Sequence, residues 1–204
     1  LMFNSHCGGI RLDEVSLMKR IGALLLCGIL LLPAAGASGT PWPAWAAEAL
    51  AWGREKSVSR AFLASPGQRL TRGAVARLLY ESAGQPAAHE ECPFSDVSEK
   101  DAAAVGWAAG QGYLTGVGDG TYEPGRPVTR QEFAAILWRQ AGTPEVPVQG
   151  LERFGDAGTV SEWARDAVLW CQQAGAMAGR SGDKLAPEDT ITTAEALVML
   201  ERAA

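Results

Sequence analysis

The sequence predicts an all-α fold: three helix–loop–helix units in a compact pseudo-threefold arrangement, preceded by a signal peptide. Three observations predict it. The segment "WAAEALAW" (Trp45 to Trp52) matches "WARDAVLW" (Trp163 to Trp170), a threonine-led helix start recurs three times, and no long alternating strand pattern appears between them. Self-similarity of this kind marks an architecture of repeated supersecondary units.

Taken in order, residues 1–17 lack periodicity and begin with leucine, and are read as upstream sequence included by a misassigned start, with Met18 as the expected first residue, or as a disordered extension. Residues 18–37 read as a secretory signal peptide: Lys19 and Arg20, then "IGALLLCGILLLP", then the small residues Ala35-Gly36-Ala37 before Ser38. That apolar run, bounded by Pro33, is shorter than the roughly 20 residues a bilayer span needs, so no membrane contact is expected after cleavage. Leu26 is too large for a lipoprotein processing site at Cys27.

The first unit spans 41–86, the second 94–142 and the third 154–202. In the first and third, two tryptophans stand seven residues apart, about two helical turns, which places each pair on one helix face. The second unit keeps only Trp107, with Lys100 in the other place. Next come the helix starts "LTRGAVARLLY", "VTRQEFAAILW" and "ITTAEALVMLE". From tryptophan to cap threonine the distance is 19 residues in the first unit and 22 in the others. Apolar residues then fall at i, i+3, i+4: Val75, Leu78, Leu79; Phe133, Ile136, Leu137; Ala196, Met199, Leu200. Such a stripe is buried on one face. Gly112 and Gly175 follow their tryptophans by five residues, as helix stops do. "GQPAAHEECP" and "GTPEVPVQGLER" read as linkers. One helix pair cannot bury both its faces, so the units must share a core.

The formal charge of −5 over 204 residues argues against a nucleic-acid partner. Cys92 and Cys171 could pair in an exported chain or remain thiols, and neither has a metal-ligand companion at CxxC spacing. Neither a metal nor a cofactor is expected. No GxSxG, zinc or phosphate-loop motif is present, and nothing marks Asp96 and Glu132 as a general acid and base. Outside the leader, His89 in a linker is the one histidine. Asp119, in "GDG", lacks the spaced carboxylates of a calcium loop and reads as a turn residue.

One residue resists a purely structural reading. Thr129 and Glu132 form a capping-box pattern, which leaves Arg130 at the first helical position, where the helix dipole disfavours a cation. The same place also suits an anion, because free backbone N–H groups point outward there and an arginine adds a planar fork matched to a carboxylate. A solvated charge or an ion pair is the structural alternative.

"FSDVSEKDAAAVGWAAGQGYLTGVGDGTYEPGRPVTRQEFAAILWRQAG" (Phe94 to Gly142) resembles an S-layer homology repeat, as does the segment from Phe154 to Arg202; the first unit is divergent but alignable. The resemblance implies a noncatalytic, secreted module that anchors at the bacterial cell wall by binding a secondary cell-wall polysaccharide, often pyruvylated. It also implies that the arginine of the family's TRAE-like tetrapeptide contacts ligand. Thr129-Arg130-Gln131-Glu132 keeps Thr, Arg and Glu; Thr71-Arg72-Gly73-Ala74 loses Glu; Thr192-Thr193-Ala194-Glu195 loses Arg. The glycan-binding set expected on this basis is Arg130, Arg72, Thr129, Gly118, Asp119, Glu132 and Trp107. Gly118 and Asp119 would lie in a turn that lets backbone approach the sugar, and Trp107 would cover its apolar side. Two alternatives stay open: an envelope scaffold with a protein partner and decayed glycan sites, and a small wall-active enzyme. Whether the chain stands alone, is a gene fragment or recruits a partner also stays open.

Overall fold

Helices form where the sequence places its caps and apolar stripes. The computed structural model describes residues 41–87, 91–146, 150–180 and 183–204. The expected leader, residues 1–37, and His89 lie outside the described residues. Within them run α1 (Ala47–Glu55), α2 (Arg60–Leu63), α3 (Arg72–Ser82), α4 (Glu99–Gly110), α5 (Arg130–Gln140), α6 (Arg165–Gln173) and α7 (Thr193–Ala203). Extended pairing among the described residues is confined to isolated bridges. None of the described helices is long and apolar enough to cross a membrane.

Caps fix the starts of α3, α5 and α7. Thr129 and Thr192 head complete capping boxes: Glu132 and Glu195 accept the backbone N–H of their threonine at 2.8 and 3.0 Å. Thr71, with Ala74 in place of the glutamate, keeps only the threonine half of the box, at 3.4 Å. All nine stripe residues from Val75 to Leu200 are buried. Gly112 and Gly175 take positive φ just past α4 and α6, ending them as the sequence indicates.

The second helix of each sequence unit packs mainly on the first helix of the next. The pairs are α3 with α4, α5 with α6, and α7 with α1. An ion pair, Arg77 to Asp101 at 2.7 Å, ties the first of these, and buried Gln131 ties α5 to the turn before α6 by accepting the Ser161 N–H at 2.9 Å. At the centre, three backbone bonds close a ring. The Leu70 N–H donates to Ile191, Ile191 donates to Val128, and Val128 donates to Leu70, all at 2.9–3.0 Å. The three side chains are buried beneath it.

One expectation fails. The paired tryptophans do not share a helix face: Trp52 and Trp170 pack against the core, but Trp45 and Trp163 are each 58% exposed. The first tryptophan of each pair sits in a 3-10 turn, Ala44–Ala46 or Glu162–Ala164, ahead of the α-helix. Three residues per turn instead of 3.6, with Ala46 and Ala164 leaving regular α geometry at the junction, rotate it outward. The cysteine alternative resolves as free thiols: Cys171 is fully buried, which pushes its pKa up to about 12, and Cys92 is half-buried.

Candidate functional site

Two loops carry the site, and each is pinned by an aspartate. Asp96, of "FSDV", accepts the backbone N–H groups of Tyr122 and Glu123 at 2.8 and 2.7 Å; Asp156, of "FGDA", does the same for Leu185 and Ala186, both at 2.8 Å. Glu123 and Ala186 both adopt positive φ, so the chain turns the same way at the two pinned positions despite different sequences. Desolvation opposes the charge on both aspartates, but the paired N–H donors prevail and hold the carboxyls below the usual carboxylate range.

Each pinned loop receives an arginine from the helix start of the preceding unit. Arg72 donates from Nε to the Tyr122 carbonyl at 2.7 Å and from Nη2 to Thr115 at 2.6 Å. Arg130 donates from Nε to Leu185 at 3.0 Å and from Nη2 to Ala178 at 2.9 Å. The acceptors differ by 63 residues in both cases, as do Glu132 and Glu195. Beneath Arg72 lies the buried Tyr122 ring, 4.4 Å from the guanidinium carbon, whose hydroxyl donates to the Arg72 carbonyl at 3.0 Å.

A groove opens beside each arginine. The first, about 210 Å³, is lined by Arg72, Arg126, Arg139, Glu132, the Thr115–Val117 backbone segment and Trp163. The second, about 470 Å³, is lined by Arg130, Arg180, Arg202, Glu195, Trp45 and an apolar floor that includes Val198 and Met199. Each thus gathers three guanidinium groups, one carboxylate and an exposed indole from a third part of the chain. Glu132 pairs with Arg126 at 2.7 Å, and Glu195 with Arg180 at 2.6 Å. Desolvation opposes ionisation of both glutamates. Arg126 and the Thr129 N–H outweigh it for Glu132, and the Thr192 N–H with Arg180 outweighs it for Glu195, so both carboxyls lie below the ordinary range. Burial lowers the pKa of Arg72 and Arg130. Arginine nonetheless remains charged in such settings.

The expected site residues therefore do not form one site. Arg130 and Glu132, two residues apart, line different grooves, Arg130 the second and Glu132 the first. Thr129 serves as the cap. The dipole cost that singled out Arg130 is met internally: its side chain is buried, at 4% exposure, and bonds to two carbonyls and to Glu195 at 3.1 Å. Gly118 and Asp119 form the exposed tip of the turn, where Asp119 accepts the Thr121 hydroxyl at 2.7 Å; the groove is reached instead by Gly116. At Gly116 a Cβ would sit 2.6 Å from the Phe94 ring and 2.7 Å from the Thr121 carbonyl, so glycine is required there. Trp107 lies in neither groove and packs between Tyr80 and Tyr113, with both ring centroids at 5.7 Å.

Sequence reasoning missed Trp45, Trp163, Arg126, Arg139, Arg180 and Arg202. The matching positions of Arg139 and Arg202, each seven residues past its motif glutamate, were the available signal. At the third corner Thr193 replaces the arginine, and its hydroxyl donates to the Gln68 carbonyl at 3.2 Å. Among the described residues, no group of three or more His, Cys, Asp or Glu side chains is placed to hold a metal.

Over 154 residues the chain is 25% identical to "Cell surface glycoprotein 1" of Acetivibrio thermocellus, a match covering 68% of this chain and 6% of that protein. The chain thus corresponds to a small part of the relative's length. The S-layer homology domain family matches at residues 93–134 and 153–197, and these matched segments hold the pinned loop and the glutamate of each groove.

Proposed function

We propose that this chain is a noncatalytic module of the bacterial cell surface that binds an anionic, pyruvylated secondary cell-wall polysaccharide in the two arginine grooves. The carrying observation is the repetition: guanidinium groups and an exposed indole meet at two separate corners of an otherwise acidic chain. A guanidinium fork matches a carboxylate, and an indole face suits the apolar side of a sugar ring. The two family segments and the cell-surface relative support the location. As part of the same reading, the three units form a closed pseudo-threefold body after signal cleavage between Ala37 and Ser38. The backbone ring at Leu70, Val128 and Ile191 and the cyclic helix pairing support this closure.

Sedimentation of the purified chain with bacterial walls, before and after acid extraction of secondary polysaccharide, tests the proposal. Binding lost on extraction is expected. Equal binding to extracted walls would refute glycan recognition. The scaffold alternative draws on the Thr193 corner, which lacks the arginine; it predicts no sedimentation with intact walls and retention of a protein partner instead.

A further inference from the structure

The two grooves look alike in composition but differ in how their cations are committed. Arg72 is half-buried and, among the described residues, forms no ion pair with a carboxylate; its bonds go to two carbonyls and a tyrosine face. Its Nη1 makes no bond among the described residues, and Arg72 lines the groove that also holds Arg126 and Arg139. Among the described residues the Arg139 guanidinium donates only to the Tyr113 carbonyl, at 3.4 Å.

In the second groove the motif arginine is spent. Arg130 keeps 4% of its side chain exposed and uses Nε, Nη1 and Nη2 on Leu185, Glu195 and Ala178. Arg180 lies across the same carboxylate with about a third of its side chain exposed, and also pairs with Asp189. Two substitutions create the difference. Arg180 stands where the first loop has Val117, and Asp189 where it has Arg126. An incoming carboxylate must therefore compete with Glu195 and Asp189 in the second groove, whereas in the first it meets Arg72 directly.

Resting on the glycan reading above, we infer that the carboxylate-bearing sugar is captured first at the Arg72 groove, and that the second groove is a weaker site. There Arg180 is the contacting cation, and Arg130 is a positioning residue that holds the loop. The second groove is also larger, about 470 against about 210 Å³, and because Arg180 is paired with Asp189 it accepts the carboxylate only as that pair opens.

Trp163 and Trp45 report on the two grooves separately. Indole N–H signals of the full chain, assigned through Trp163→Phe and Trp45→Phe, are followed by NMR during titration with a synthetic methyl hexoside bearing a pyruvate ketal. The same hexoside without the ketal is the control. The Trp163 midpoint is expected at least about tenfold below that of Trp45. Arg72→Lys, which keeps the charge and loses the fork, should raise the Trp163 midpoint and leave Trp45 unchanged. Arg180→Val should raise the Trp45 midpoint, while Arg130→Lys should lower the melting temperature with little change at Trp45. Equal midpoints, a lower midpoint at Trp45, or a Trp45 response sensitive to Arg130→Lys but not to Arg180→Val would overturn the assignment. If neither indole responds in the folded chain, the glycan reading itself falls.

Discussion

The Arg130 corner and the Thr193 corner share a backbone and differ in chemistry. At the first, the N–H groups of Arg130 and Gln131 donate to Asp189 and Pro187; at the second, those of Thr193 and Ala194 donate to Gln68 and Pro66, all at 2.9 Å. One corner then adds a buried guanidinium tied into a neighbouring loop, the other a hydroxyl bonded to a single carbonyl. The same main-chain pairing thus forms at both corners regardless of the side chain at that position. The arginine is an addition to that closure, and the fold can lose it at one corner without opening.

The largest expected effect that sharpens this contrast is Arg130→Met. It strands two loop carbonyls and removes one partner of Glu195, at a cost of about 3 kcal/mol. Thr193→Val, by comparison, should cost about 1 kcal/mol; equal losses of melting temperature for the two would show that the corners do not differ as described. Next comes Gly116→Ala, where the close Phe94 ring and Thr121 carbonyl predict a loss of about 1–3 kcal/mol by overpacking. Gly118→Ala, at the open turn tip, should owe its smaller loss to backbone strain alone. Chemical denaturation of the pair measures both.

Acid sensitivity ranks third. Asp156, Glu132 and Glu195 have folded-state pKa values below their unfolded ones. Their stabilisation is present above the unfolded value of about 4 and disappears as pH falls through the lower folded value. Melting temperature should therefore drop steeply below about pH 4, and Asp156→Asn should lower it at neutral pH while flattening that acid limb. An unchanged slope would contradict the pinning role. Smallest is the cap comparison: Thr129→Ala, which breaks a full box, should cost about 1 kcal/mol, and Thr71→Ala, with half a box at 3.4 Å, about 0.5 kcal/mol.

Much of this architecture was legible in the residues. Cap threonines, stripe positions and helix-stopping glycines are local signals, and each lies where the spacing put it. The grooves were less legible because they are assembled across units: Arg72 meets the loop of the second unit, Arg130 that of the third, and no local pattern states which neighbour a helix start will face. Arg130 and Glu132 look like one motif and serve two grooves, since adjacent positions at a helix start diverge in direction by about 100° per residue. The seven-residue interval puts Trp45 and Trp163 on the same helix face as Trp52 and Trp170 only in a continuous α-helix, and one 3-10 turn breaks that assumption. Tyr122 gave no motif, only an apolar position shared with Leu185.

The bond between Leu70 and Ile191, with α1 seated against α7, joins the beginning of the described body to its end. In mechanical terms, a tether pulled at both termini loads this seam first, and the neighbouring units are not reached until it parts. Stretching the molecule from its ends should then give its first rupture at this seam, with the α3–α4 and α5–α6 pairings loaded only afterwards, as befits a clasp more than a string of beads.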